Sequence, residues 1–172
     1  MNYGLDPGQR RWLLKAVRES AGELFNLYYD LDEEGLRWRP AEDEWCLKEV
    51  LAHLRDADLL YRRQIELITQ RHEPVLPDEA LDIFPSERNY RDAPVMDLMN
   101  EYEAAREETM WLLRVLDEDD WQRCGVHPYQ GEISVHAIVR ALHEHDLEHL
   151  YQARRLSEAA KSMSVSTRRR RW

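Results

Sequence analysis

The sequence predicts an all-α protein, a four-helix bundle with a long crossover connection between helices 2 and 3. Three observations carry that prediction. Four long segments repeat apolar residues at alternating steps of three and four, the spacing of one helical face. Six of the seven prolines lie between or at the edges of those segments. No period-two run and no Asn-Gly or Asp-Gly turn marks a strand or hairpin.

The first segment covers about residues 7–32, where Leu14, Val17, Ala21, Leu24 and Tyr28 form one stripe. The second runs from about 47 to 71, with Val50, His53, Leu54, Ala57, Tyr61, Ile65 and Ile68 on its inner face. The third, about 94–116, carries Val95, Met99, Tyr102, Arg106, Thr109, Leu113 and Leu116, with Pro94 suited to its first turn. The fourth, about 134–158, carries Ile138, Leu142, His145, His149, Gln152 and Leu156 behind Ser134 as N-cap. Each stripe is one-sided, so each helix needs the others to cover it. The proline-punctuated stretch from His72 to Ala93 lacks periodicity and suits a crossover over one end of the bundle. A second loop, Asp117 to Ile133, precedes the fourth helix.

A chain of 172 residues is most economically one domain. Two cysteines, Cys46 and Cys124, make no disulfide scaffold and no CxxC, so a reducing, cytoplasmic setting is the expectation. No apolar run approaches the ~18 residues of a membrane span. The net charge of −10 comes from 34 acids against 24 bases. Four of those bases are Arg168 to Arg171, so the chain before them is more acidic still. An acidic body repels phosphate, so nucleic acid is not expected as a partner. Residues 161–172 read as a flexible basic tail.

The informative residues are polar ones on the apolar stripes. His145 and His149 lie four apart on the fourth helix, about one turn from each other on one face. That spacing suits two imidazoles on one metal ion, with His53 from a facing helix as the third; an open position then remains for water. Neutral imidazole suits zinc, nickel, iron and copper alike. The same residues equally suit core histidines, with His53 bonded to a carboxylate such as Asp58 or Glu144. His136 and His143 fall on another face and read as solvated surface, whereas His127 is a loop residue able to approach a site mouth. The string from His143 to Leu147 is not HExxH, so a zincin protease is disfavoured. Arg106 breaks the third stripe; it either pairs with a core carboxylate or clamps a substrate anion with its guanidinium fork.

The segment from Glu44 to Leu54 (EWCLKEVLAHL), the lead-in from His127 to Ser134 (HPYQGEIS) and the helix from His145 to Gln152 (HDLEHLYQ) resemble the DinB-like (YfiT-like) metalloenzyme family. The stretch from Leu116 to Trp121 is similar as well, and the likeness runs in order from the first helix to about Leu156. The resemblance implies one DinB-like four-helix-bundle domain over residues 1–160. It further implies a divalent metal ion (zinc, nickel or iron) held by His53, His145 and His149. A metal-dependent enzyme follows, of the low-molecular-weight-thiol S-transferase type or a hydrolase, acting on a small-molecule substrate. Its reactive group would be a metal-bound water or thiolate, with Arg106 as substrate anion clamp. The alternative is a non-enzymatic metal-binding or stress-associated bundle working through a dimer or partner surface; a homodimer is common in the family. One departure is Cys46, where the family often has Ser or Thr as N-cap. Sulfur caps poorly, so this helix start is expected to lean on Asp43 or water.

Overall fold

The computed structural model describes the backbone of residues 7–169 and the side chains of residues 8–163. Four long helices form the body: α1 (Pro7–Tyr29), α3 (Leu47–Gln70), α5 (Val95–Val115) and α7 (Val135–Arg169). Between them lie short α2 (Glu33–Arg37), α4 (Phe84–Glu87) and α6 (Glu118–Gln122), and a hairpin of β1 (Cys124–His127) and β2 (Gly131–Ser134). The four predicted helices are therefore present, each starting and ending within a few residues of its stripe, except that α7 continues well past 158. Its backbone stays helical to Arg169, so the tail predicted from 161 is a helical extension over most of its length. The remainder of the arginine run, Arg170 and Arg171, lies with Trp172 outside the described residues. No described helix is long and apolar enough to cross a membrane.

Helix starts follow local chemistry. The N-cap of α3 is Cys46, whose backbone N–H is accepted by the Glu49 carboxylate at 2.8 Å. Glu49, three residues into the helix, thus supplies the support expected from Asp43. The side chain of Asp32 accepts from Gly35 N and starts α2.

The hairpin corrects the expectation of a plain loop from Asp117 to Ile133. His127 pairs with Gly131 across the three-residue turn Pro128-Tyr129-Gln130. Gly131 sits at φ 74°, the left-handed position that such a turn assigns to glycine. An isolated parallel bridge joins Val75 to Val126, with Leu76 N donating to Val126 O and Val126 N to Pro74 O. The crossover is thereby tied to β1. Gly125 makes the contact possible, because a Cβ there would stand 2.7 Å from Leu76 Cδ2.

The core comes in two apolar clusters. One holds Leu24, Tyr28, Leu51, Leu54, Tyr102, Leu150 and Leu156 among others. The other holds Val17, Ile65, Ile68, Leu113, Trp121, Ile138 and Leu142. Along every long helix a polar residue separates the two: Ser20 on α1, Asp58 on α3, Arg106 and Thr109 on α5, Asp146 on α7. All five are buried. They bond to one another. Arg106 Nε donates to Asp58, Nη1 to Asp146 Oδ2 (2.7 Å) and to Val17 O (2.6 Å), and Nη2 to Asp146 Oδ1 (2.9 Å). Thr109 donates to the second Asp58 oxygen and Ser20 to Asp146 at 2.6 Å. One guanidinium thus links all four long helices.

Candidate metal centre

On α3 the side chain of His53 is 1% exposed. His145 and His149, one turn apart on α7, are half-buried. They occupy the shoulder of the helix, because Leu142, Asp146, Leu150 and Ala153 take its fully buried line. His53 Nε2 and His145 Nε2 face each other at 3.0 Å. One ring nitrogen from each of the three histidines lies within 4.8 Å of the others. Trp45, just before α3, closes one side, its ring 4.8 Å from His53 and stacked at 5.9 Å on His149.

Electrostatics favour lone pairs over protons. Burial, helped by His149, pushes His53 down to about 4. Burial, helped by His149 and His53, pushes His145 down to about 3. Desolvation penalises the charged imidazolium, so both rings are neutral at pH 7. His149 Nδ1 donates to Gln152 Oε1 at 2.8 Å, since a carbonyl oxygen can only accept; the tautomer so fixed leaves the Nε2 lone pair free. Three nitrogens around a tetrahedral ion at 2.0–2.1 Å would stand about 3.3 Å apart. The observed approach of His53 to His145 is near that spacing. Three converging imidazoles, two of them held neutral by burial, therefore fit a divalent ion of the zinc, nickel or iron class.

Beside the triad opens a cavity of about 390 Å³, walled by His53 and His145 and by Ala57, Tyr61 and Gln64 of α3. The crossover supplies its opposite wall through Asp78, Glu79 and Asp82, and the hairpin contributes His127 and Tyr129. Asp82 Oδ1 comes within 3.8 Å of His53 Nε2.

The other sequence candidates fall as follows. His127, read as a loop residue near a site mouth, lies on β1 with 8% exposure and forms part of the cavity wall. His143, read as surface, is buried edge-on against Trp12 with ring centroids 5.5 Å apart. His53 has no bond to the carboxylates named as alternatives. Asp58 is taken by Arg106 and Thr109, and Glu144 pairs with Arg140 at 3.5 Å on the surface. Arg106 corrects the anion-clamp expectation. It is 4% exposed and its guanidinium is committed to Asp58, Asp146 and the Val17 carbonyl, so the structure gives it the core pairing. Of the two carboxylates that organise that pairing, Asp146 was not singled out by the sequence and Asp58 was named only as a partner for His53. The skipped signal was available, since both are carboxylates one residue off a helical stripe.

A helical bundle with three facing imidazoles between α3 and α7, opening on a cavity, defines a histidine-triad bundle protein. The chain belongs to the DinB superfamily, whose sequence model matches residues 16–153. Among curated relatives it is 24% identical over 157 residues to YuaE of Bacillus subtilis, covering 84% of this chain and 97% of that one. It is 26% identical over 140 residues to an Oceanobacillus iheyensis protein named "Putative metal-dependent hydrolase OB0413", covering 80% and 79%. Among solved structures, YfiT of Bacillus subtilis superposes with a TM-score of 0.83 at 15% identity over 92% of this chain and 91% of that one. YfiT is described as a probable metal-dependent hydrolase with an unusual four-helix bundle topology. The mycothiol-dependent maleylpyruvate isomerase superposes with a TM-score of 0.68 at 12% identity, over 83% of this chain and 59% of that one.

Proposed function

We propose that the protein is a metal-dependent hydrolase of small molecules, with His53, His145 and His149 as the ligands of one divalent ion. The observation that carries the reading is the triad itself: three imidazoles converge beside an open cavity rather than inside a sealed core. The hydrolase description of the Oceanobacillus relative supports it. A divalent ion in such a site supplies Lewis-acid chemistry, polarising a carbonyl oxygen and acidifying a water or thiol.

The chain's own residues then have defined tasks. Burial of His53 and His145 keeps their lone pairs free of protons at neutral pH. Gln152 holds the His149 tautomer and ring plane. Trp45 covers one face of the triad, so a ligand reaches it from the cavity side. Tyr61 is edge-on to His145 at 6.1 Å. Burial first, and then the carboxylates of Asp146 and Asp78, raise its phenol, so it stays a proton-bearing donor in the cavity wall.

The test is elemental analysis of tag-free protein after reconstitution with zinc, nickel or iron, followed by turnover assays on ester, amide and thiol-acceptor panels. About one ion per chain and metal-restored hydrolysis are expected. An ion with turnover only on thiol-acceptor pairs moves the reaction to thiol transfer, and no ion at all removes the enzyme reading. The substitution Gln152→Ala is expected to weaken metal affinity roughly 10–100-fold, the usual effect of losing the partner that orients a ligating imidazole. Competition with a chromogenic chelator measures it.

A further inference from the structure

The cavity beside the triad has a one-sided charge. Its wall contains three carboxylates, those of Asp78, Glu79 and Asp82, and among the described residues lining it there is no lysine or arginine. The guanidinium once expected there, Arg106, is neutralised by two buried aspartates. Two tyrosine rings, Tyr61 and Tyr129, share the wall, and an aromatic face attracts a cation through its quadrupole.

His127 adds an independent sign that the cavity receives a ligand. It is 8% exposed, and its Nδ1 accepts from Tyr129 N (3.2 Å) and Gln130 N (3.3 Å). Those two donors place the ring proton on Nε2. Among the described residues no hydrogen bond to that N–H is made, and Asp78 Oδ1 stands 3.7 Å away. A side chain nine-tenths buried thus turns its N–H toward a carboxylate of the cavity wall across a gap too long for a hydrogen bond.

We propose that this cavity selects a cationic substrate, an ammonium-bearing ester or amide whose charged nitrogen lies among Asp78, Asp82 and the tyrosine rings. The proposal rests on the functional reading above for the location of the reacting bond, and adds the substrate's charge. Asp78 is the residue best held for the task, since His127 faces it and the bridge from Val75 to Val126 anchors its strand of chain. Away from the triad, an anionic substrate would meet three like charges and no lysine or arginine, its only positive neighbour being an ion on the histidines.

Calorimetric titration of the full chain with benzyltrimethylammonium, benzyl alcohol and phenylacetate tests the proposal, in metal-loaded and EDTA-treated protein. A quaternary ammonium has no lone pair for a metal, and the EDTA-treated arm prevents phenylacetate from acting as a metal ligand. In that arm the ammonium is expected to bind about tenfold tighter than phenylacetate, the size of one water-screened charge pair. The isosteric Asp78→Asn is expected to remove most of that preference while circular dichroism is unchanged. Asp82→Asn gives a second reading from an exposed position. A preference for phenylacetate, no preference, or no binding of any probe overturns the proposal. Because the decisive arm contains no metal, its result stands apart from whether the triad binds an ion: charge selection in a protein that takes up no ion on metal loading would sink the hydrolase reading alone.

Discussion

Replacing His149 by alanine is expected to abolish stoichiometric metal binding while leaving the bundle folded. The side chain is half-buried on the shoulder of α7, outside both apolar clusters, so its loss opens little core volume. Two imidazoles remain, His53 and His145, and two ligands do not hold a divalent ion against water as three do. The measurement is thermal unfolding with and without added ion. An ion bound only by the folded state stabilises by about 4 kcal/mol when free ion is 1,000 times its Kd. For a chain of this size that corresponds to a rise in Tm of roughly 10 °C. The wild type is expected to show that rise and His149→Ala none, with the metal-free curves of the two proteins nearly coincident. A full metal-induced rise in His149→Ala would mean that the ion binds elsewhere and that the triad is a cluster of structural histidines.

The triad was legible because periodicity reports which residues share a helical face. Four apart on one helix, His145 and His149 had to be neighbours, and His53 fell on the inner face of another long helix. Periodicity does not report which face meets which. For α7 it set His145 and His149 on the main buried line, whereas the structure gives that line to Asp146 and Leu150 and leaves the two histidines at its edge. The same blindness hid the cavity. Its far wall is the crossover, a stretch with no period at all, held by one bridge between residues 51 positions apart. His127 belongs to that wall through a hairpin whose only local mark is Gly131 after a three-residue turn; four-residue strands are too short to show alternation. Arg106 was singled out correctly as an anomaly, but its partners lie 40 and 48 residues away and no local pattern pairs them.

Arg106→Met is expected to cost roughly 3–5 kcal/mol of unfolding free energy, a large share of the 5–15 kcal/mol typical of a domain. The methionine keeps much of the volume and all of the hydrophobicity, so the loss is electrostatic. It leaves the Asp58 and Asp146 carboxylates, 0% and 3% exposed, with the Thr109 and Ser20 hydroxyls as their side-chain donors among the described residues. Urea denaturation measures the change, and the combination Arg106→Met, Asp58→Asn, Asp146→Asn is the control. Removing all three charges together is expected to recover part of the loss, because an uncompensated buried charge is costlier than a missing pair. If Arg106→Met does not fold, the triple substitution still discriminates, since a layer that acts only by packing gains nothing from neutralised aspartates. Arg106→Lys completes the series: a point ammonium cannot reach Asp58, Asp146 and the Val17 carbonyl in their planar arrangement, so a partial loss is expected. Asp58 shares α3 with His53, and Asp146 adjoins His145 on α7. A bundle whose α3 and α7 are no longer pinned by one guanidinium should therefore hold the metal ion more weakly in Arg106→Lys, although Arg106 touches none of the three histidines.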